Sequence, residues 1–372
     1  MSEIQHILFL DDDHVMRLSR FALSGEAQVS ADWVQAFFSP LSVQPQSVYD
    51  LAQGLHASDG VELYPLETSL EKIPESSALH PKAQHPAEII VFRRGVVDAE
   101  LLAQHPNLKF IQRLGERRDG IDIQAAKARG IQISCLPRRS IQYTAEHTVM
   151  FMLALSKRLQ DGDRAVREAQ WDKSKVTPTN DVAYNWVALD SLSGLYGKTL
   201  GIIGMGEVGA LLCKMALAFG MKVLYCNRHR LSAERELELG TSYAPLDALL
   251  GASDFVSLNA ANLPANEGMI NADSFNKMKS TAFFINTARG KLMDETALYQ
   301  SLKDKRIAGA GLDVHWREPR EAHHPLMSLP NVIMTPHYAG GERGEVLHEL
   351  SEVFENCRRF LKGQAPSHLI TD

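Results

Sequence analysis

Thr199-Leu200-Gly201-Ile202-Ile203-Gly204-Met205-Gly206-Glu207-Val208-Gly209 is the stretch from which the fold is read. Its first five residues form a short apolar run of the kind that makes a buried strand. Gly204, Gly206 and Gly209 then give the spacing G-x-G-x-x-G at the mouth of a helical run. Such a triplet on its own marks many strand-to-helix turns. Here a strand precedes it, a helix follows, and a polar residue, Asn227, ends the next apolar run, which completes the context of a dinucleotide-binding loop. In that reading Gly204 permits the tight turn, Gly206 lets the backbone approach a pyrophosphate at the helix N-terminus, and Gly209 lets helix and strand pack closely. Gly204, Gly206, Glu207, Val208 and Gly209 are therefore candidate cofactor contacts.

Outward from the loop, Lys222 to Tyr225, Phe255 to Leu258, Ala282 to Ile285, Ile307 to Leu312 and Val332 to Met334 are short, apolar and separated by helix-length amphipathic runs. That alternation predicts a doubly wound parallel sheet with helices on both faces. The first 140 residues are less regular. Ile7 to Leu10, Ile89 to Phe92, Phe110 to Arg113 and Ile131 to Ser134 read as strands, Ile121 to Arg129 as a helix stopped by Gly130, and Ala31 to Phe38 as helix-like. A second, smaller α/β unit is expected there. The polar stretch from His56 to Ala87, with four prolines, reads as a long surface excursion, and Trp171 to Gly197 as an irregular segment. Two helices bridge the regions, one from Tyr143 to Leu159 and one from about Glu342 to Leu361. Two such crossovers make a hinge, and a hinge lies beside a cleft.

The chain has 372 residues, 45% hydrophobic and 23% charged, which suits two globular domains and excludes collagen-like or low-complexity structure. Its 39 Lys+Arg against 45 Asp+Glu give a net charge of −6, with no basic block for nucleic acid. Cys135, Cys213, Cys226 and Cys357 lie far apart, so no disulfide framework or metal site is expected. The longest apolar run, Val149 to Leu155, is about a third of a membrane span. A reduced, cytoplasmic protein without membrane or nucleic-acid partners is the expectation.

The residues at the end of the strand carrying Tyr225 bear on the cofactor. An acidic residue there bonds the adenosine ribose and repels a 2′-phosphate, but the chain reads Asn227-Arg228-His229-Arg230. Arg228 and Arg230 suit a phosphate through charge-assisted bonds, the alternative being solvated loop arginines. NADP(H) is favoured, with NAD(H) possible.

Further motifs follow in order. They are Asn107-Leu108-Lys109 through Gly115, Asp119-Gly120-Ile121-Asp122, Ala145-Glu146-His147-Thr148, Ile285-Asn286-Thr287-Ala288-Arg289-Gly290, Gly311-Leu312-Asp313-Val314 with Glu318-Pro319, and Thr335-Pro336-His337-Tyr338-Ala339-Gly340. Together with the glycine loop they make the chain, over roughly residues 88 to 362, similar to the D-isomer-specific 2-hydroxyacid dehydrogenases. The resemblance implies a Rossmann-type cofactor domain at 141–340 and a smaller, discontinuous, flavodoxin-like α/β substrate domain made of 1–140 and 341–372. It implies a homodimer and a catalytic triad at Arg289, Glu318 and His337. Reduction of a 2-oxo acid needs a proton donor at the carbonyl oxygen and a cation for the carboxylate. A histidine oriented by a carboxylate meets the first need, and an arginine, which never loses its charge, the second. The same resemblance puts Asp313 beside the nicotinamide carboxamide, Thr287 and Ala288 beside the cofactor, and Gly115, Glu116 and Arg117 on the substrate carboxylate.

The chain departs from the family at Arg117 and Arg138, where glycines are usual, and at Asn259-Ala260-Ala261, where a His and a Pro are usual. With Arg93, Arg94, Arg118 and Arg139, the first two gather six arginines on the expected substrate side. They suggest an acid with a second anionic group or greater bulk, the alternative being solvated or paired arginines. The expected activity is hydride exchange between NADP(H) or NAD(H) and a small 2-oxo or D-2-hydroxy acid, resembling glyoxylate/hydroxypyruvate reductases. Formate or phosphite oxidation is the enzymatic runner-up, and a dinucleotide-sensing corepressor-like protein is the alternative from another class.

Overall fold

The structure is a computed structural model that describes residues 5–11, 14–23, 31–39, 41–56, 61–64, 86–118, 120–171 and 184–371. Asp12, Asp13 and Asp119, most of the proline-rich stretch and residues 172–183 lie outside them. The chain divides into two compact units, Met1–Ser140 with Glu342–Asp372, and Ile141–Gly341.

The first unit holds β1 (Gln5–Phe9), α1 (His14–Leu23), α2 (Ala31–Phe38), α3 (Pro45–Asp50), β2 (Val61–Tyr64), β3 (Ile89–Phe92), α4 (Ala99–Gln104), β4 (Phe110–Leu114), α5 (Ile123–Ala128) and β5 (Gln132–Leu136). Its parallel sheet has the order β2-β1-β3-β4-β5. Both faces of the sheet are covered, so β3 is a continuous apolar run, and even the polar Gln112, Arg113 and Ser134 of β4 and β5 are buried. Ile7, Phe9, Ile89 and Val91 enter one core with α1, α2 and α3, while Leu8, Ile90, Phe92 and Ile111 enter the other with α4 and α5. The surface excursion expected from His56 to Ala87 is corrected in part: Val61–Tyr64 pairs residue for residue with Gln5–Leu8 and forms the sheet edge. Four residues with one charge among them give too short a signal to stand out in polar sequence.

The second unit holds α6 (Ser140–Ser156, whose first residue belongs to the first unit), α7 (Leu159–Arg167), β6 (Thr199–Ile203), α8 (Glu207–Ala218), β7 (Lys222–Cys226), α9 (Ala233–Leu239), β8 (Ser242–Tyr243), α10 (Leu246–Ala252), β9 (Phe255–Leu258), α11 (Ala272–Lys277), β10 (Phe283–Asn286), α12 (Glu295–Lys303), β11 (Gly309–Leu312) and β12 (Val332–Met334). The parallel order β12-β11-β10-β9-β6-β7-β8 reverses direction at β6, the switch point of a doubly wound sheet. The six strands expected here are present, and the two-residue β8 adds a seventh at the edge. The last helix, α13 (Glu345–Leu361), belongs to the first unit, where Leu350, Val353 and Phe354 join its core. Buried Asn356 fixes its register by donating to Gln112 Oε1 at 2.9 Å and Ser134 Oγ at 3.0 Å. Among the described residues no helix is long and apolar enough to cross a membrane.

Candidate active site

The glycine loop follows β6 and is fixed from three sides. Gly204 has φ +101°, and a Cβ there would stand 2.6 Å from the Asn259 backbone, so the departure at Asn259-Ala260-Ala261 abuts the loop itself. A Cβ on Gly209 would come within 2.5 Å of Gly204 O, which is the close helix approach the spacing predicts. At Gly206, the N-cap of α8, a Cβ would meet nothing within 4 Å, and no side chain caps the helix. Glu207 and Val208 carry first-turn amides at the positive end of the α8 dipole, the kind of group that can hold a pyrophosphate. Asn227 accepts from Met205 N at 2.7 Å, so its carbonyl oxygen braces the loop.

Beyond Asn227, Arg230 pairs with a carboxylate of its own domain. Its Nε and Nη2 each lie 2.8 Å from the carboxylate of Glu236 on α9, and its guanidinium sits 5.6 Å over the Tyr243 ring. Tyr225 Oη donates to the same carboxylate at 2.6 Å. The bonds from Arg230 and Tyr225 hold Glu236 down to about 2. A carboxylate is thus present near this loop, brought by a helix rather than by the strand end. Arg228 lies two residues away in the same loop.

Arg289, Glu318 and His337 follow β10, β11 and β12, three neighbouring strands, at their C-terminal ends. Nδ1 of His337 is 2.6 Å from Glu318 Oε2, and Oε1 of the same carboxylate accepts from His315 N at 2.9 Å. Burial works against the Glu318 charge, but the bonds from His337 and His315 N outweigh it and hold the carboxyl below its ordinary range. With Nδ1 so engaged, Nε2 is the ring nitrogen left to exchange a proton with a ligand.

Arg289 is exposed and donates to Ala288 O at 2.6 Å, while Asn286 clamps its turn by accepting from Ala288 N and donating to Arg289 O, both at 3.0 Å. A Cβ at Gly290 would stand 2.1 Å from the His315 carbonyl, so the arginine turn lies flat against the residue that braces Glu318. Geometry thus links Gly290, His315, Glu318 and His337 in one chain of contacts.

Asp313, 1% exposed, accepts from Thr335 Oγ1 at 2.6 Å, Tyr338 N at 3.0 Å and Ala339 N at 2.9 Å. Its side chain is engaged by the loop that carries His337, a role the motif alone does not reveal. His147, whose motif Ala145-Glu146-His147-Thr148 assigns it no chemistry, is buried beside Thr335.

In the first unit, Arg93 and Arg94 follow β3 with their amides bound to Asp11, and Gly115, Glu116 and Arg117 follow β4. Arg139 is paired with Glu352 of α13 at 2.9 Å, as the alternative reading of these arginines allows, and Asp122 caps α5.

With this geometry in view, the profile of the D-isomer specific 2-hydroxyacid dehydrogenase, NAD binding domain, matches residues 149–339. The chain belongs to the D-isomer specific 2-hydroxyacid dehydrogenase family. It is 37% identical over 274 residues to a glyoxylate reductase of Korarchaeum cryptofilum, covering 74% of this chain and 79% of that one. It is 37% identical over 305 residues to a glyoxylate reductase of Thermococcus litoralis, covering 80% and 88%. Among solved structures, a glyoxylate reductase from Paecilomyes thermophila is 26% identical with a TM-score of 0.53, covering 100% and 99% of the two chains. Like other D-2-hydroxyacid dehydrogenases, the chain is an NAD(P)-dependent oxidoreductase with a Rossmann-type domain.

Proposed function

We propose that this dehydrogenase reduces a small 2-oxo acid of the glyoxylate and hydroxypyruvate class to its D-2-hydroxy acid, with His337 as proton donor. The observation that carries the reading is the 2.6 Å contact of His337 with Glu318 at the ends of adjacent strands. When bound, the reduced nicotinamide supplies a hydride to the carbonyl carbon. The chain's own groups do the rest. The Nε2 proton of His337 passes to the carbonyl oxygen as negative charge develops there, and Glu318 stabilises the ring while it is charged and fixes its tautomer. Arg289 holds the acid's carboxylate through its fork of donors. In the reverse direction His337 takes the hydroxyl proton. The glycine loop with Glu207 and Val208 holds the pyrophosphate, and Thr287 and Ala288 line the nicotinamide side.

The preference for NADP(H) over NAD(H) is supported by Arg228 and Arg230 in the loop after Asn227, where no acidic residue ends the strand to repel a 2′-phosphate. The homodimer reading is supported by an apolar groove of about 590 Å³ lined by Val149, Met150 and Leu153 of α6, Leu159 of α7, Met215 of α8 and Phe219 just after it. Loss of nicotinamide absorbance with a panel of 2-oxo acids tests the function: turnover of glyoxylate or hydroxypyruvate is expected, and cofactor binding without turnover of any acid counts against it.

A further inference from the structure

We propose that helix α6 positions the reacting groups, its adjacent residues His147 and Thr148 acting from behind on the two loops that carry His337 and Arg289. The inference rests on the roles proposed above for those two residues. His147, Thr148 and Thr335 are each less than a tenth exposed and act through Asp313 and Thr287, so these three are positioning residues.

The direction of the first arm follows from counting protons. Asp313 Oδ1 accepts at 2.6 Å from Thr335 Oγ1, which uses the only proton of that hydroxyl. A second neighbour of Thr335 Oγ1, His147 Nε2 at 3.0 Å, must then donate. Burial lowers the pKa of His147 against the opposing pull of Asp313, so the neutral ring carries its one proton on Nε2. The ring is further held edge-on by Phe151 at 4.6 Å and Tyr338 at 5.3 Å. The arm runs from His147 through Thr335 to Asp313, whose carboxylate receives Tyr338 N and Ala339 N and whose carbonyl receives His337 N at 2.8 Å.

That clamp has a purpose visible in the backbone. His337 stands at φ +56°, a left-handed conformation L-residues adopt only where their surroundings hold it. Asp313 grips the amide of His337 itself and those of the next two residues, so the aim of the imidazole depends on the Asp313 carboxylate staying in place.

In the second arm Thr148 donates to Thr144 O at 2.9 Å, so its remaining contact, Thr287 Oγ1 at 3.0 Å, donates to it. Thr287 begins the turn that ends at Arg289. Two consecutive residues of one helix thus brace the ends of β10 and β12, the strands on either side of the one that carries Glu318.

The test compares paired variants by kcat, KM and cofactor Kd from nicotinamide fluorescence, with His337→Gln run alongside. Thr335→Val is expected to lower kcat by about tenfold or more, since small misplacements of a reacting group cost up to about 10²-fold. Cofactor Kd is expected to stay within about twofold, and Thr335→Ser, which keeps the hydroxyl, to recover most of the loss. His147→Gln, which keeps a donor, is expected to outperform His147→Leu in kcat, and this pair decides the matter if Thr335→Val does not fold. Thr148→Val is expected to raise KM for the acid more than it lowers kcat. Wild-type kcat in Thr335→Val, or equal losses within either conservative pair, would overturn the positioning role while leaving His337 as acid. Wild-type turnover in His337→Gln would instead remove the functional reading on which the inference stands.

Discussion

Nδ1 of His337 and Oε2 of Glu318 stand 2.6 Å apart, and the other oxygen of that carboxylate is taken by the amide of His315. One carboxylate therefore both orients the imidazole and ties its loop to the neighbouring strand end. Because the folded-state pKa of Glu318 is depressed below the 4.5 of a free carboxyl, the interaction is present above that value and is lost only as pH falls through the lower one. The acid limb of kcat/KM is accordingly expected below pH 4.5. Glu318→Gln should remove that limb and lower the plateau about tenfold or more. A limb that lies higher and persists in the variant contradicts the assignment.

Buried histidines give stability the same sign of pH dependence by another route. His147 and His315 both have pKa values lowered from 6.5, chiefly by burial, and His315 Nδ1 also accepts from Arg320 Nε at 3.0 Å. Between the lowered values and 6.5 the unfolded chain binds more protons than the folded one, so stability rises with pH across that window. Melting temperatures measured from pH 5.5 to 7.5 should rise, and the slope should lessen in His147→Gln. An unchanged slope in the variant would show that His147 is not one of the groups responsible.

Glu236 sets the state of Arg230, and this bears on cofactor choice. Glu236→Gln weakens the bidentate pair and lets Arg230 turn toward a 2′-phosphate, so Kd for NADPH should fall several-fold relative to NADH. Arg228→Ala should act in the opposite sense, by about tenfold. Isothermal titration with both cofactors checks this; parallel changes in the two Kd values would place both arginines away from the phosphate.

Two glycines separate packing from binding. A Cβ at Gly290 would overlap the His315 backbone at 2.1 Å, whereas at Gly206 it meets no protein atom within 4 Å. Gly290→Ala should therefore lower stability by about 1–3 kcal/mol, the usual cost of overpacking. Gly206→Ala should leave the melting temperature within about a degree, since the added methyl meets no protein atom, yet weaken cofactor binding about tenfold or more. Thermal melting with and without NADPH distinguishes them.

Short apolar runs between helix-length amphipathic ones are legible in sequence, and β6, β7, β9, β10, β11 and β12 are all of this kind. The edge strand β2, with Glu62 among its four residues, and the two-residue β8 carry too little pattern to be seen. The positions of Arg289, Glu318 and His337 could be read from motifs. What held them could not, because it depends on contacts distant in sequence: His147 with Thr335, Thr148 with Thr287, Asp313 with Ala339. The Arg230–Glu236 pair was hidden differently. Glu236 looks like any helix-surface acid until the turn after β7 brings the arginine back against it.

The proposed role of His337 as proton donor is tested most directly by following nicotinamide oxidation with glyoxylate or hydroxypyruvate in the wild type and in His337→Gln, with cofactor Kd measured on both. Turnover is expected in the wild type, with a loss of about 10²–10⁴-fold in kcat for the variant and an unchanged cofactor Kd. A variant that reduces the acid at the wild-type rate would contradict that role.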